Sequence, residues 1–404
     1  MDDGTNMLSG IRVLDFTQYL AGPTVTRFMA ELGADVIKVE QAPGGDPSRL
    51  LPLLKDGRSV YFIQQNRGKR SLCIDFSRPQ AHDLLRRLAA QVDVVVENFG
   101  PGVLEKRGLD WDSLRALNPR LIMASVSAYG RHGPLSDKVG FDLMAQAFSG
   151  LSHMTGDPDG PPYWVAAAIG DVSAGVHTFG AVACALFHRE RTGEGQHIDI
   201  SMIDALYHCH EVNVQVYANG SGYVPIRPGV HHPLAGPMGY YRGPKGWIAI
   251  LVLDRQWPAL VAALGQPGLA DDPRFATGTD RGANAAALAD IIERWMGAFP
   301  DDESVLCALE AHRVPAAPVL SVAQTVEHPH FRAREMVRRV PDPLAGEVTI
   351  PGFPLKFSGF PDLLDLRAPL LGEHNDEVLR RDLALDDSEI AALIQSRILH
   401  GERR

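Results

Sequence analysis

The spacing of the first forty residues limits the fold more than any other feature of the chain. Ile11-Arg12-Val13-Leu14-Asp15 reads as a buried strand, Gly22-Pro23 precedes a helix over 24–32, and Gly33 ends it. Ala34-Asp35-Val36-Ile37-Lys38-Val39-Glu40 then reads as a second strand. Two short runs rich in β-branched residues, separated by a helix-length stretch, make a βαβ unit and so begin a doubly wound sheet. A helix over 79–91, the strand Val92-Asp93-Val94-Val95-Val96 and a further strand, Leu121-Ile122-Met123-Ala124-Ser125-Val126, continue the alternation. The first strand-to-helix loop, Phe16-Thr17-Gln18-Tyr19-Leu20-Ala21-Gly22-Pro23, has no GxGxxG, which argues against a bound dinucleotide although Glu40 ends the second strand.

Farther on, residues 172–190 read as a helix with Asp171 at its start, and Gly195-Gln196-His197-Ile198-Asp199-Ile200-Ser201 as a strand. Residues 221–246, rich in Gly, Pro, His and Tyr, read as a linker or loop. A strand over 247–253 and helices to about 313 follow, then the short proline-broken strand Val314-Pro315-Ala316-Ala317-Pro318-Val319 of a smaller domain. The tail beyond Gly372 is charged and helical. A chain of 404 residues, 45% hydrophobic and 22% charged, exceeds what one core holds, so two domains are expected.

The net charge of -10 argues against nucleic acid or an anionic membrane as partner, although Arg67-Gly68-Lys69-Arg70 offers a local anion site. Residues 1–6 are acidic and polar, unlike a signal peptide, and no apolar run reaches the ~18 residues of a membrane span. Four widely spaced cysteines without a CxxC pair suggest reduced thiols in the cytoplasm. The clusters His208-Cys209-His210-Glu211 and His231-His232 lack zinc-like spacing, so no metal site is expected, and no GxSxG elbow is present.

Asp171 lies in the small, apolar stretch Ala166-Ala167-Ala168-Ile169-Gly170-Asp171-Val172-Ser173. It reads either as a helix N-cap or as a reagent, with its Gly and Ala neighbours leaving room for a substrate. A helix N-terminus would lower its pKa and keep it ionised. Glu97-Asn98-Phe99-Gly100-Pro101-Gly102 follows a strand at the carboxyl end of the sheet, where open α/β folds bind ligands.

In their order and spacing, these pieces resemble the family III CoA-transferases, a superfamily that includes α-methylacyl-CoA racemases. The resemblance runs through Asp15-Phe16-Thr17, Ala21-Gly22-Pro23, Leu32 with Gly33 to Glu40, Asn66 to Ser71, Glu97 to Gly102 and Gly170-Asp171. It continues in Thr192-Gly193-Glu194-Gly195-Gln196, Ser201-Met202-Ile203-Asp204-Ala205 and Arg313-Val314-Pro315-Ala316-Ala317-Pro318. It implies a large, doubly wound, Rossmann-like CoA-binding α/β domain from 1–220 with 335–404, and a small α/β domain with linkers over 221–334. It also implies two subunits threaded through each other in an interlocked dimer, or a heteromer with a homologous subunit. Asp171 matches the catalytic aspartate. Leu20, Ala21, Asn98, Phe99 and Gly100 match the CoA path, with Lys106 at a basic position nearby. Ile74, Asp75, Phe76 and Ser77 match the adenine end, Lys138 matches a basic residue beside the active site, and Phe141 is also among the binding positions. A CoA thioester is then a substrate, and no permanently bound cofactor is implied.

Gln41 and Arg78 depart from the family's basic positions, and Gly236-Pro237-Met238-Gly239-Tyr240-Tyr241 replaces a run of four glycines. That change weakens an oxalate assignment. With Tyr217, Tyr223, His231 and His232, these loops suggest a larger acid. The family racemases take a second base from Gly-His-Asp, where this chain has Gly140-Phe141-Asp142, and phenylalanine transfers no proton. His132 stands nine residues upstream of Phe141. CoA transfer between an acyl-CoA such as succinyl-CoA and a carboxylic acid is therefore expected. The alternatives are a 2-methylacyl-CoA racemase or a non-catalytic CoA-binding subunit. Backbone N–H groups near Gly170 are expected to stabilise oxyanions.

Overall fold

The computed structural model describes residues 6–51, 54–360, 362–364 and 366–401. Residues 1–5, which carry most of the N-terminal expectation, lie outside them. The chain divides into two compact units, one of Met1–Leu151, Val165–Glu211 and Pro329–Arg404, the other of Ser152–Trp164 and Val212–His328.

The first unit is built on six parallel strands: β1 (Arg12–Asp15), β2 (Asp35–Gln41), β3 (Lys69–Ile74), β4 (Val94–Glu97), β5 (Ile122–Ser127) and β6 (Gln196–Ser201). Their spatial order is 3-2-1-4-5-6, with parallel pairing throughout. Successive side chains of a strand point to opposite faces, and both faces are covered, so the strands read as nearly unbroken apolar runs. Val13, Val36, Val94, Val96, Ile122 and Ala124 face one layer, in which α1 (Ala21–Glu31) and α6 (Ile169–Thr192) supply Val25, Met29, Val182 and Leu186. Leu14, Ile37, Leu72, Val95 and Met123 face the other, covered by α3 (Pro79–Ala89) and the C-terminal helix Asn375–Leu383. Between these lie the short helices α2 (Val60–Asn66), α4 (Trp111–Leu117) and α5 (Asp142–Phe148), and α7 (Met202–Tyr207) follows β6.

Helix α6 departs from two expectations. It starts at Ile169 rather than 172, and it is 24 residues long, with a mean hydropathy of 1.3 over its most apolar 18 residues. By length and composition alone it is able to cross a membrane. Here one of its faces is a core face, with Ala174, Gly175, Thr178, Val182 and Leu186 buried. Gly175 sets how closely it lies on α1, because a Cβ there would stand 2.7 Å from both the Ala21 carbonyl oxygen and Thr24 Cβ.

The second unit carries a three-stranded antiparallel sheet of β7 (Met238–Arg242), β8 (Trp247–Leu251) and β9 (Ala316–Pro318), with β8 central. Helices Trp257–Leu264, Ala285–Met296 and Asp302–Ala311 pack with it through Leu260, Ile292, Val305 and Leu309. The segment 221–246 is thus not all loop. It holds β7, whose regular pairing with β8 overrides a Gly- and Pro-rich composition.

The basic run at 67–70 does not form an anion site. Arg67 is paired with Glu31, Lys69 with Asp15 at 2.9 Å, and Arg70 with Asp35 at 2.7 Å. Lys69 and Arg67 are buried and hold the start of β3 against α1 and β1.

Candidate active site

Open parallel sheets bind ligands beyond the carboxyl ends of their strands, where the strand order reverses. In this sheet that point lies between β1 and β4. The loops leaving these two strands, residues 16–20 and 98–101, meet there, and Asn98 ties them together. Its side chain donates to the Gln18 carbonyl at 2.8 Å and accepts from the Gln18 N–H at 2.8 Å.

The 16–20 loop is anchored from below by buried charges. Asp15 accepts from Thr17 N–H at 2.8 Å, from the Thr17 hydroxyl at 2.5 Å and from Thr26 at 2.8 Å. Burial raises its pKa, but Lys69, Lys38 and the Thr17 bond outweigh that and bring it to about 2. Lys38, fully buried, donates to the Thr17 carbonyl at 2.8 Å and pairs with Asp46 at 2.9 Å. Asp46 also accepts from Tyr19 N–H at 3.3 Å. Tyr19 has φ +62°, a left-handed conformation that costs an L-residue roughly 1–2 kcal/mol and persists because its neighbours hold it.

Asp171 faces this loop across a cavity of about 280 Å³. Of the residues expected from the sequence, Leu20, Asn98, Phe99, Gly100, Lys138 and Phe141 line it with Asp171. Ala21 is buried, as the first residue of α1. Ile74 and Phe76 are also buried, with Phe76 packed edge-to-face on Phe99 at 6.1 to 6.3 Å from its two aromatic neighbours, Phe16 and Phe99. Asp75 accepts from Ser77 N–H at 2.9 Å and from the Gln41 amide at 3.2 Å. Asp75, exposed Ser77 and exposed Lys106 lie away from the lining of the Asp171 cavity. Residues not expected from the sequence also line it, among them Gln18, Tyr19, Ser127, Ser136 and Met202.

Three expectations about Asp171 are corrected. First, Ala168 is the N-cap of α6, and Asp171 is the third helical residue. The capping carboxylate is Asp142, absent from the expected site. Its Oδ1 accepts from Gly170 N–H at 2.6 Å and from Asp171 N–H at 3.4 Å, and its Oδ2 from the Gln146 amide at 2.7 Å. The signal was its place beside Phe141, at the start of α5. Second, the N–H groups near Gly170 are engaged by Asp142 and do not form an oxyanion hole. Third, Gly170 leaves room for a protein group, since a Cβ there would stand 2.8 Å from Asp142 Oδ1.

The Asp171 carboxyl is not held ionised either. Burial, and then the Asp142 carboxylate, raise its pKa to about 7. Two like charges and a desolvated position outweigh the helix terminus. Tyr61 on α2 is near enough for Asp171 to help raise its phenol pKa, after burial. A carboxyl with a folded pKa above its ordinary 3.8 binds its proton more tightly when folded, so stability falls as pH rises from about 4 to about 7. Asp171→Asn is therefore expected to melt at a higher temperature than the parent at about pH 8, and at the same temperature near pH 4, by thermal denaturation.

A neighbouring cavity of about 490 Å³ shares Gly100, Pro101 and Ser136 with the first. Its walls carry Glu97, Asp110, Asp112 and Asp137 together with Arg131, His132 and His197, and Glu97 is paired with Arg131 at 2.6 Å. His132 lies there, exposed and paired with Asp199 at 3.0 Å, and not in the lining of the Asp171 cavity. In the second unit, Met238, Tyr240, His231 and His232 line a separate cavity of about 500 Å³, whereas Tyr241 is buried in the core.

Residues 8–375 match CoA-transferase family III. The chain is 37% identical to a formyl-CoA:oxalate CoA-transferase of Streptomyces avermitilis, covering 96% of this chain and 98% of that protein. It is 36% identical to a succinyl-CoA–D-citramalate CoA-transferase of Chloroflexus aurantiacus, covering 97% and 98%. A crystal structure of a CAIB/BAIF family protein from Brucella suis superposes with a TM-score of 0.81 at 36% identity, covering 94% of this chain and all of that one.

Proposed function

We propose, from the premise that the chain belongs to CoA-transferase family III, that it moves CoA from an acyl-CoA donor such as succinyl-CoA to a carboxylic acid by covalent catalysis at Asp171. The observation that carries the reading is a carboxyl of raised pKa facing a cavity at the switch point of the sheet. Ionised, Asp171 adds to the thioester carbonyl carbon, the C–S bond breaks, and CoA leaves as thiolate from an aspartyl–acyl anhydride. The thiolate then attacks the aspartyl carbonyl carbon, releases the donor acid and leaves CoA as a thioester on Asp171. An acceptor carboxylate reverses these two steps on its own account and departs as the new acyl-CoA. One thioester is made for each one broken, so the exchange needs no ATP.

The CoA substrate runs from residues 74–77, which take its adenine end, past Phe99, with Lys106 near its phosphates and its thioester end in the Asp171 cavity, whose wall includes Lys138. Racemisation has less support, because the second wall residue in question, Phe141, carries no proton to transfer. The test is exchange of labelled CoA between succinyl-CoA and a panel of carboxylic acids by the purified chain. Exchange with any acid supports the reading and removes the non-catalytic one. Failure with all of them, alongside α-proton exchange in a 2-methylacyl-CoA, would favour the racemase.

A second subunit belongs to this proposal. Leu143, Met144 and Phe148 on α5 and Val172, Val176 and Phe187 on α6 are large apolar residues left exposed in one chain. A surface of this kind fits a protein interface. Light scattering is expected to give twice the mass of one chain. A monomer at micromolar concentration would contradict it.

A further inference from the structure

Each acyl-transfer step proposed above drives the electron pair of a carbonyl π bond onto its oxygen. The tetrahedral oxyanion needs a donor that is aimed in advance. The expected donors are not available, since Asp142 engages the N–H groups of Gly170 and Asp171. The facing loop offers no free N–H at its two middle residues. Gln18 N–H is bonded to Asn98, and Tyr19 N–H to Asp46. Both polar atoms of the Asn98 side chain are taken by the Gln18 backbone.

The Gln18 side chain is different. It lines the same cavity as Asp171, is half-buried, and has no hydrogen-bond partner among the described residues. Its backbone is among the best-held in the site. Asn98 fixes its N–H and carbonyl, Lys38 and Asp15 fix Thr17 before it, and Asp46 fixes Tyr19 after it. Only its own side-chain torsions remain to be set when a substrate enters.

We propose that the Gln18 carboxamide is a catalytic residue that donates a hydrogen bond to the carbonyl oxygen during acyl transfer. As the Asp171 carboxylate adds to the thioester carbon, the carbonyl pair moves to oxygen and meets the Gln18 N–H. The pair then re-forms the carbonyl as the C–S bond breaks and the thiolate leaves. No proton changes owner. The buried Lys38–Asp46 pair and Asn98 act through Gln18 as positioning residues. This inference rests on the transferase reading and assigns the donor that reading lacks.

The test compares Gln18→Ala and the isosteric Gln18→Glu with the parent and with Asp171→Ala, using the purified full chain, succinyl-CoA and its best acceptor. Both Gln18 variants are expected to keep the parent's melting temperature and a KM within about threefold, while kcat falls on the order of 10²–10³-fold. A kcat within threefold of the parent overturns the proposal, as does a rise in KM with kcat unchanged, which would make Gln18 a ground-state binder. If Asp171→Ala is inactive and Gln18→Ala is normal, the assignment of Gln18 fails and the transferase reading stands. If Asp171→Ala stays active, that reading fails first.

Discussion

Asp171→Ala is expected to lose CoA exchange by roughly 10⁴-fold or more, with the protein still folded. The Asp171 carboxyl sits in the first turn of α6 and faces the loops that leave β1 and β4 at the switch point of the sheet. Covalent exchange passes both intermediates through this one group, so its removal closes both half-reactions rather than slowing one. Asp171→Asn keeps the shape and loses the nucleophile, and should match the Ala variant. In the parent, the ionised form reacts, so kcat/KM should rise with pH through about 7 and level off above it. Steady-state kinetics across pH on the three proteins check these outcomes together.

Asp142→Ala is expected to have the second largest effect, and on two properties at once. It leaves the buried Gly170 N–H without its acceptor, at a cost of roughly 1–3 kcal/mol, and removes one of the two acceptors of the Gln146 amide, which keeps the Val165 carbonyl at 3.1 Å. Denaturant unfolding should show this loss. It also removes the like charge beside Asp171. Asp142→Asn separates the two consequences, because the amide oxygen can still accept while the charge is gone. That variant should be nearer the parent in stability, and its acid limb should move to lower pH as the Asp171 pKa falls. An unmoved acid limb would show that burial alone raises the Asp171 pKa.

The α/β class was legible because β1, α1 and β2 announce themselves locally. Val13-Leu14, Val36-Ile37 and Val94-Val95-Val96 divide between two covered faces, and such strands need no tertiary information to be recognised. Strand β7 was not legible, since its neighbours in the sequence are Gly and Pro and its stability comes from pairing with β8. Within the site, Asp171, Asn98, Phe99 and Phe141 were reached through a family resemblance, and each does line the cavity. The chemistry around them was not reachable in that way. That Asp142, 29 residues away in sequence, would cap α6 and charge the surroundings of Asp171 depends on how α5 meets α6. The local rule that an Asp before a helix is its cap pointed to the wrong carboxylate. Gln18 left no sequence signal, because its interest lies in the absence of a partner for its side chain.

The most direct test of the central claim is to mix the purified chain with succinyl-CoA, without acceptor, quench in acid, and map the adduct by peptide mass spectrometry. CoA is expected on the peptide containing Asp171, attached through a thioester that hydroxylamine converts to an aspartyl hydroxamate. CoA bound at another residue, or exchange-competent enzyme with no covalent adduct at any time in the burst, would contradict it.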